Sequence, residues 1–377
     1  MRKAFKYRLY PTKAQQTILT TILQECRWLY NHLLEKRKEA YEANTTTLTL
    51  YQQQETYPQL KQERPSLKKT HSQVLQNVAL RLDLAMKAFF RRVKARDSRV
   101  QTDEKAPGYP RFRGTERYDS FTYPQVPSGC KLEGETLSLS KVGQVKVKLH
   151  RPLEGIPKTC TIKCDSTGKW WATFSCEVED TSGLPDSSEI VGIDVGLKKF
   201  AFLSTNEAIA NPKFFRQDEK DLGKVQRQLS KEEKDTVQRR KRKKMVARVH
   251  ARIRNRRHNF THQVSRRIIN RFGYIAVEDI HSSRMVHNHC LAKSILDASW
   301  SKFFDCLSYK AECAGRHLVK VNPAYTSQDC HQCGHRQKMA LSERIYNCPC
   351  CRQSWDRDLN ASLNILKIAL GQQCVEA

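Results

Sequence analysis

Phe5, Tyr7 and Leu9 alternate with Lys6 and Arg8, the two-residue period of a half-buried strand, and Pro11 closes the run. Thr12 with Gln15 makes a capping box. Ile18, Ile22, Cys26, Leu29 and Leu33 then recur at helical spacing, which predicts a long amphipathic helix over 13–42. A second helix is expected over about 71–97, with Leu75, Val78, Leu82, Ala85 and Phe89 on one side. The segment 101–118 carries Pro107-Gly108-Tyr109-Pro110 and then Arg111, Arg113 and Arg117, and its punctuation reads as a loop. From 119 to 180 the period returns to two: Leu137/Leu139, Val145/Val147/Leu149, Cys160/Ile162/Cys164 and Trp171/Thr173/Ser175/Glu177. These are expected as strands of a small barrel or curled sheet that the first strand of the chain joins. The helical region 11–100 would then be an insertion into a β-domain.

Pro185-Asp186-Ser187-Ser188 reads as a domain boundary. An apolar strand at 190–193 and a hairpin partner at 199–204 follow, and 215–270 reads as helical and very basic. From Arg239 to Arg257 more than half of the positions are Lys or Arg, with no acid among them to neutralise the run. Val246, Val249 and Ile253 form its apolar stripe, while Arg248, Arg252 and Arg256 fall four apart on another face. Such a face is either solvated or a nucleic-acid contact, and the unbroken positive charge favours the contact.

Composition widens that reading to the whole chain. At roughly 150 residues per domain, 377 residues make two or three domains. Lys and Arg exceed Asp and Glu by 28 charges, which points to a long polyanion as partner. A hydrophobic content of 39% argues against disorder. No apolar run approaches the length of a membrane span, and the basic start Met1-Arg2-Lys3-Ala4-Phe5-Lys6 has no apolar stretch behind it, so neither a span nor a secretory signal is expected. Because the charge is spread along the chain instead of gathered on one helix, a lipid surface is a poorer partner. In a large basic chain without an export signal, 14 cysteines read as reduced thiols plus a metal site.

That site is explicit. Cys330-x2-Cys333 and Cys348-x2-Cys351 are separated by 14 residues, and two such knuckles place four thiolates about 2.3 Å from a structural zinc ion. Gly334 permits the tight turn of the first knuckle. Cys350 makes the register of the second pair ambiguous, and His331 or His335 could substitute as ligands. Cys26, Cys160, Cys164, Cys176, Cys306 and Cys313 are expected as small core residues.

Three acids stand at the ends of apolar elements. Ile190-Val191-Gly192-Ile193 runs into Asp194, Tyr274-Ile275-Ala276-Val277 runs into Glu278, and Asp356-Arg357-Asp358 opens an apolar helix through Leu363, Ile365, Leu366, Ala369 and Leu370. Two strand-end acids and one helix-start acid, in the order Asp, Glu, Asp, fit the active site of an RNase H-like nuclease. In-line attack on a phosphodiester needs charge neutralised at both oxygens, and two divalent ions roughly 4 Å apart, held by carboxylates, supply it. Asp279 could take the place of Glu278, and Asp356 that of Asp358; the strand pattern and the D-x-N sequence favour Glu278 and Asp358.

Asp194 in Gly192-Ile193-Asp194-Val195-Gly196, Glu278 in Val277-Glu278-Asp279, the two cysteine pairs, and Asp356-Arg357-Asp358-Leu359-Asn360-Ala361-Ser362-Leu363-Asn364 resemble the TnpB family, accessory proteins of bacterial insertion sequences related to type V CRISPR effector nucleases. The opening Phe5-Lys6-Tyr7-Arg8-Leu9-Tyr10-Pro11-Thr12, the Gly108–Arg113 loop and Asp297-Ala298-Ser299-Trp300 also look like family features, so the resemblance covers nearly the whole chain. It implies an α/β multidomain protein. An amino-terminal β-barrel-like (wedge) domain is expected at 1–10 and 101–185, carrying a helical recognition insertion at 11–100. An RNase H-like RuvC nuclease domain is expected at 186–325 and 353–377, with a basic helical insertion at about 211–270 and an inserted zinc ribbon at 326–352. The implied activity is RNA-guided cleavage of DNA by a metal-dependent endonuclease. The implied partners are a guide RNA from the transposon end and double-stranded target DNA, in the bacterial cytosol or nucleoid, with no membrane. Catalysis would fall to Asp194, Glu278 and Asp358 with Mg²⁺, or Mn²⁺, and Cys330, Cys333, Cys348 and Cys351 would hold structural Zn²⁺. Tyr51 and the Gln73/Gln76 face lie where the family reads its target-adjacent motif, and Gln can read an adenine edge.

Two other readings compete. An RNase H-like transposase also uses three carboxylates, usually ordered Asp, Asp, Glu; the final Asp358 and the zinc ribbon ahead of it favour the RuvC type. A non-cutting nucleic-acid-binding regulator would have no use for Asp194, Glu278 and Asp358. The sequence stops soon after Asp358, so no elaborate carboxyl-terminal region is expected.

Overall fold

The computed structural model describes residues 1–97, 106–179, 183–340 and 342–376. The chain divides into two compact units, Met1–Asp180 and Thr181–Ala377.

In the first unit, β1 (Arg2–Tyr10) leads through Thr12 into α1 (Lys13–Asn44). The capping box is present: Gln15 N–H donates to Thr12 Oγ1 at 3.3 Å and Thr12 N–H to Gln15 Oε1 at 3.0 Å. The buried stripe of α1 runs through Leu19, Ile22, Cys26, Leu29 and Leu33, while Ile18, expected on that stripe, is exposed. Two short helices not foreseen, α2 (Leu50–Glu55) and α3 (Tyr57–Glu63), and a 3-10 turn at Pro65–Lys69 lead to α4 (Ser72–Asp97). Their packing buries two charged centres with partners, as burial of charge demands. Arg37 reaches Asp83 at 3.2 Å and Gln53 at 2.7 Å, and Glu25 takes Arg64 through both oxygens at 2.7 and 3.0 Å.

Of the expected 101–118 loop, residues 106–118 are described, and they hold only a 3-10 turn at Thr115–Arg117. The expected boundary between residues 100 and 101 lies outside the described residues. Then come β2 (Ser120–Tyr123), β3 (Cys130–Glu133), β4 (Thr136–Leu139), β5 (Gly143–Lys148), β6 (Ile156–Cys164) and β7 (Trp170–Glu177). All pair antiparallel in the order β2-β6-β7-β1-β5-β4-β3, so β1 sits in mid-sheet between β7 and β5, strands that come far later in the chain. The end strands approach each other: Tyr123 Oη donates to the Ser140 carbonyl at 2.9 Å, and Ser140 N–H to the Gly129 carbonyl at 3.0 Å. The sheet is a nearly closed barrel. Its core is continuous with that of the helices, so α1 to α4 pack on the barrel and share its interior.

The second unit is built on a five-stranded sheet. β8 (Ile190–Val195), β9 (Lys199–Leu203) and β10 (Ala208–Ala210) form an antiparallel meander. After α5 (Phe214–Ser230) and α6 (Val237–Arg271), β11 (Tyr274–Glu278) returns parallel to β8. α7 (Ser282–Met285), α8 (His289–Ala298) and α9 (Trp300–Ala314) precede β12 (His317–Val321), which lies parallel to β11. The order is β10-β9-β8-β11-β12. A hairpin of β13 (Ile345–Asn347) and β14 (Ser354–Asp356) then leads into α10 (Arg357–Glu376).

Alternation along the central strands divides the helices between the faces. Val191, Ile193, Ile275 and Val277 face α6 and α9; Tyr274 and Ala276 face α10. β11 is buried on both sides, as a central parallel strand requires. The basic stretch 215–270 is not one helix. It breaks at 231–236, where Asp235 adopts a positive φ and Thr236 caps α6 by accepting from Arg239 N–H at 3.1 Å. α5 and α6 thus form an antiparallel hairpin. Among the described residues no helix is long and apolar enough to cross a membrane.

Candidate active site and metal centre

β8 and β11 run parallel with Ile193 opposite Val277, so the next residue on each strand is an acid, Asp194 on one and Glu278 on the other. Both carboxyls emerge from the same end of the sheet. α10 reaches this end because β8 carries glycine at 192: a Cβ there would stand 2.1 Å from the Ser362 carbonyl oxygen and 2.9 Å from Leu366 Cβ. Tyr274 Oη fixes the far end of the helix by donating to the Ala369 carbonyl at 3.0 Å. The first turn of α10, with Asp358, is brought up to Asp194.

The electrostatics register that convergence. The Asp194 carboxyl is held well above the ordinary carboxylate range, first by burial, then by the like charges of Glu278 and Asp358; Arg357 acts in the opposite sense. Glu278 is 7% exposed, and burial raises it too, against a hydrogen bond from the Thr326 hydroxyl that favours its charged form. Asp358 keeps partial exposure and lies 3.8 Å from Arg344. The alternative acids are engaged elsewhere. Asp356 caps α10, its Oδ1 accepting from the N–H groups of Asp358 and Leu359 at 2.9 and 3.3 Å, and its Oδ2 meets Lys199 at 3.1 Å. Asp279 is exposed and lies 3.8 Å from Lys320. Beside Glu278 a cavity of about 690 Å³ opens along the ends of β11 and β12 as far as Asn322 and Pro323.

Sequence reasoning missed the residues that tie this end together. Asn360 is fully buried: its Oδ1 accepts from His331 N–H at 2.9 Å, and its Nδ2 donates to the Asp329 carbonyl at 2.7 Å. Asn364, one turn on, donates to the carbonyls of Thr326 and Asp329 at 2.8 and 2.6 Å. Segment 326–331 is thereby fastened to α10 while Thr326 holds Glu278. The signal was present: two amides four residues apart within an otherwise apolar helical run lie on one face and need partners there. Asp297, quoted above only as part of a motif, accepts from Phe215 N–H through both oxygens at 2.9 and 3.0 Å and pairs with Arg257 at 2.6 Å.

The four paired cysteines come together. Cys330 and Cys351 sulfurs are 3.7 Å apart, Cys333 and Cys348 sulfurs 3.5 Å, and all four lie within 4.8 Å of one another. A tetrahedron with a metal–sulfur distance of about 2.3 Å has edges of about 3.8 Å, so the spacing fits a metal such as zinc. Backbone N–H groups support the sulfurs, and that of His335 is the first cause lowering the Cys333 thiol to about 6. Cys350 is exposed and outside the group, and His331 is spent on Asn360. Tyr346 is fully buried beneath the knuckles, donating to the carbonyls of Gln328 and His335. Cys26, Cys160, Cys176 and Cys306 are core residues as expected, while Cys164 and Cys313 are half-buried.

The residues read as nucleic-acid contacts divide. Arg248 is exposed and makes no ion pair among the described residues. Arg252 and Arg256 are engaged with α5: Arg252 meets Asp218 at 2.7 Å and Asp221 at 3.0 Å, and Arg256 meets Asp218 at 3.2 Å and lies over the Phe214 ring. The basic run contains no acid, but the helix packed on it supplies two. Tyr51 is 75% exposed, Gln76 is exposed, and Gln73 donates to the Gln125 side chain.

Residues 173–289 match a family model described as "Probable transposase", and 300–365 match one described as "Cas12f1-like, TNB domain". Residues 1–46 match a "Helix-turn-helix domain", although here they form a strand and one long helix. A protein of Streptomyces pristinaespiralis described as "Putative RNA-guided DNA endonuclease" is 32% identical over 377 residues, 98% of this chain and 90% of that protein. "Putative RNA-guided DNA endonuclease InsQ" of Escherichia coli (strain K12) is 30% identical over 384 residues, 97% of this chain and 91% of that protein. A structure described as that of "the mini-RNA-guided endonuclease CRISPR-Cas_phi3" shares the fold with a TM-score of 0.52 at 10% identity, over 98% of this chain and 92% of that one. With relatives so similar over nearly its whole length, the chain belongs to the TnpB (OrfB) family.

Proposed function

We propose that this protein is an RNA-guided DNA endonuclease of a transposable element, and that it cuts phosphodiester bonds at an RNase H-like, RuvC-type site made by Asp194, Glu278 and Asp358. The carrying observation is the convergence of Asp194, Glu278 and Asp358 at one end of a sheet ordered β10-β9-β8-β11-β12, where crowding and burial hold the Asp194 carboxyl above its ordinary range. Three antiparallel strands followed by two parallel ones, with acids on the first strand, the fourth strand and the last helix, are what an RNase H-like site requires. Like charges packed together without an internal cation are costly, and an all-oxygen donor set suits hard divalent ions.

Two Mg²⁺ or Mn²⁺ ions bound there would neutralise charge at the entering and leaving oxygens of the scissile phosphate. The chain itself supplies the geometry. β8 and β11 fix two carboxyls at one level, Asp356 caps α10 so that Asp358 begins at a set height, and Thr326 orients Glu278 by donating to one of its oxygens. Arg357 offsets the crowding at Asp194, and Arg344 stands beside Asp358. Zinc on Cys330, Cys333, Cys348 and Cys351 would close a ribbon whose base is the segment bound by Asn360 and Asn364. The relatives' names supply the guide RNA and the DNA substrate, and the net charge of +28 suits both.

Cleavage of plasmid DNA by the purified protein with its co-purifying RNA tests the reading. Asp194→Ala, Glu278→Ala and Asp358→Ala should each lower the rate by about 10³-fold or more with RNA binding retained. Wild-type cutting by any one of them, or full activity in chelator, refutes the assignment. The family model's description favours one other reading, DNA strand transfer. Joined products made by RNA-free protein would establish it in place of guided cutting.

A further inference from the structure

Arg81, Arg113 and Arg117 converge with Tyr30, Tyr118, Asp119 and Ser120 on a cavity of about 220 Å³ in the amino-terminal unit. α1 supplies Tyr30, α4 supplies Arg81, and the segment leading into β2 supplies the rest. The donors are fixed in advance. Arg81 donates to the Ser120 carbonyl and the Thr122 hydroxyl, both at 2.7 Å. Asn31 accepts from Arg113 N–H at 2.7 Å and donates to the Arg113 carbonyl at 3.0 Å, pinning that residue, whose guanidinium lies over the Tyr30 ring. The one acid in the wall, Asp119, is neutralised by Lys163 at 2.9 Å, which leaves the field of three arginines.

The phenols are the telling feature. Tyr30 is 3% and Tyr118 9% exposed, and both hydroxyl oxygens are buried; that of Tyr30 has no hydrogen-bond partner, and that of Tyr118 has only the Arg81 guanidinium beside it, a donor that leaves the phenol's own O–H unmatched. Native interiors seldom leave buried hydroxyls unmatched, and those that do call for an unseen partner. Here an anion matches them, because a tetrahedral oxyanion accepts from neutral O–H and guanidinium N–H donors together.

We propose that this cavity is a phosphate site that takes a backbone phosphate of a bound nucleic acid. Tyr30 and Tyr118 are its neutral donors, and Arg81, Arg113 and Arg117 its charged ones. Arg113 and Arg117 are exposed at its mouth, placed to meet a strand passing outside. The inference deepens the functional reading above by locating where nucleic acid is gripped, and it stands or falls separately because its test reads binding instead of cutting.

The test measures affinity of the full chain for a short single-stranded RNA and for a short DNA duplex across a range of KCl. Tyr30→Phe should weaken binding about 3–10-fold with the salt dependence unchanged, since it removes one uncharged donor. Arg117→Gln should weaken binding and reduce the log–log salt slope by about 0.7–0.9. Loss with RNA alone or with duplex alone identifies which polymer supplies the phosphate. Thermal unfolding of free Tyr30→Phe should match or exceed wild type, because its hydroxyl has no partner to lose, which separates lost binding from lost folding. Wild-type affinity of Tyr30→Phe for both polymers overturns the proposal, even if inorganic phosphate still stabilises the protein.

Discussion

Asp194 and Glu278 carry a cost that comes with their burial. Both carboxyls are raised in the folded state, so the native protein binds protons that the unfolded chain has released. Stability is therefore lost as pH rises from the ordinary carboxylate value through the raised native one. Asp194→Asn should raise the melting temperature at pH 7 by a few degrees, roughly 2–4 °C per kcal/mol for a unit this size, while abolishing cleavage. Calorimetry at pH 4.5 should show the gain shrinking, and added Mg²⁺ should stabilise wild type more than the variant. Equal gains at both pH values would mean that the three acids do not burden the fold. Thr326 acts on the same balance from the other side. Thr326→Val removes the hydrogen bond that favours charged Glu278, so the acid limb of the pH–rate profile should move to higher pH. An unmoved limb would leave Thr326 as packing alone.

At the scale of elements, α10 joins two parts of the site through side chains that look out of place in an apolar helix. Asn360→Ala should cost about 1–3 kcal/mol, because it leaves the His331 N–H and the Asp329 carbonyl of a buried segment without partners. Urea unfolding followed at the second unit measures this, and an unmoved midpoint would show that the segment finds other partners. The apolar strands β8 and β11, the capping box of α1 and the start of α10 were all legible, because period, caps and strand-end acids are local properties of sequence. What escaped notice depends on contacts. The break at 231–236 was hidden since Asp218 and Asp221, the acids that make α5 fold back on α6, lie outside the basic run. Ile18 fits the helical period as well as Leu19 does, and only the barrel beneath α1 decides between them. β12, with His317 and Lys320 on a half-covered edge strand, has too little alternation to announce itself.

Charge is the property of the whole molecule, and the structure sorts it into cations already spent and cations still free. A net charge of +28 makes strong nucleic-acid binding at low salt unavoidable, so bare affinity says little about which residues matter. The salt slope says more, because it counts phosphates neutralised. Arg248 and Arg252 sit one turn apart on α6, but Arg248 is exposed without an ion pair among the described residues, whereas Arg252 bridges Asp218 and Asp221. If this face meets a polyanion, Arg248→Gln should reduce the slope for RNA or duplex DNA by about one phosphate contact, without changing thermal stability. Arg252→Gln should leave the slope nearly as it was, since the freed acids oppose the polyanion as the lost arginine no longer opposes them. Its effect should fall on the α5–α6 hairpin, seen as faster amide exchange at the ends of the two helices. Equal slopes for Arg248→Gln and wild type would turn this face of α6 toward solvent and leave the grip on nucleic acid to other surfaces of the chain.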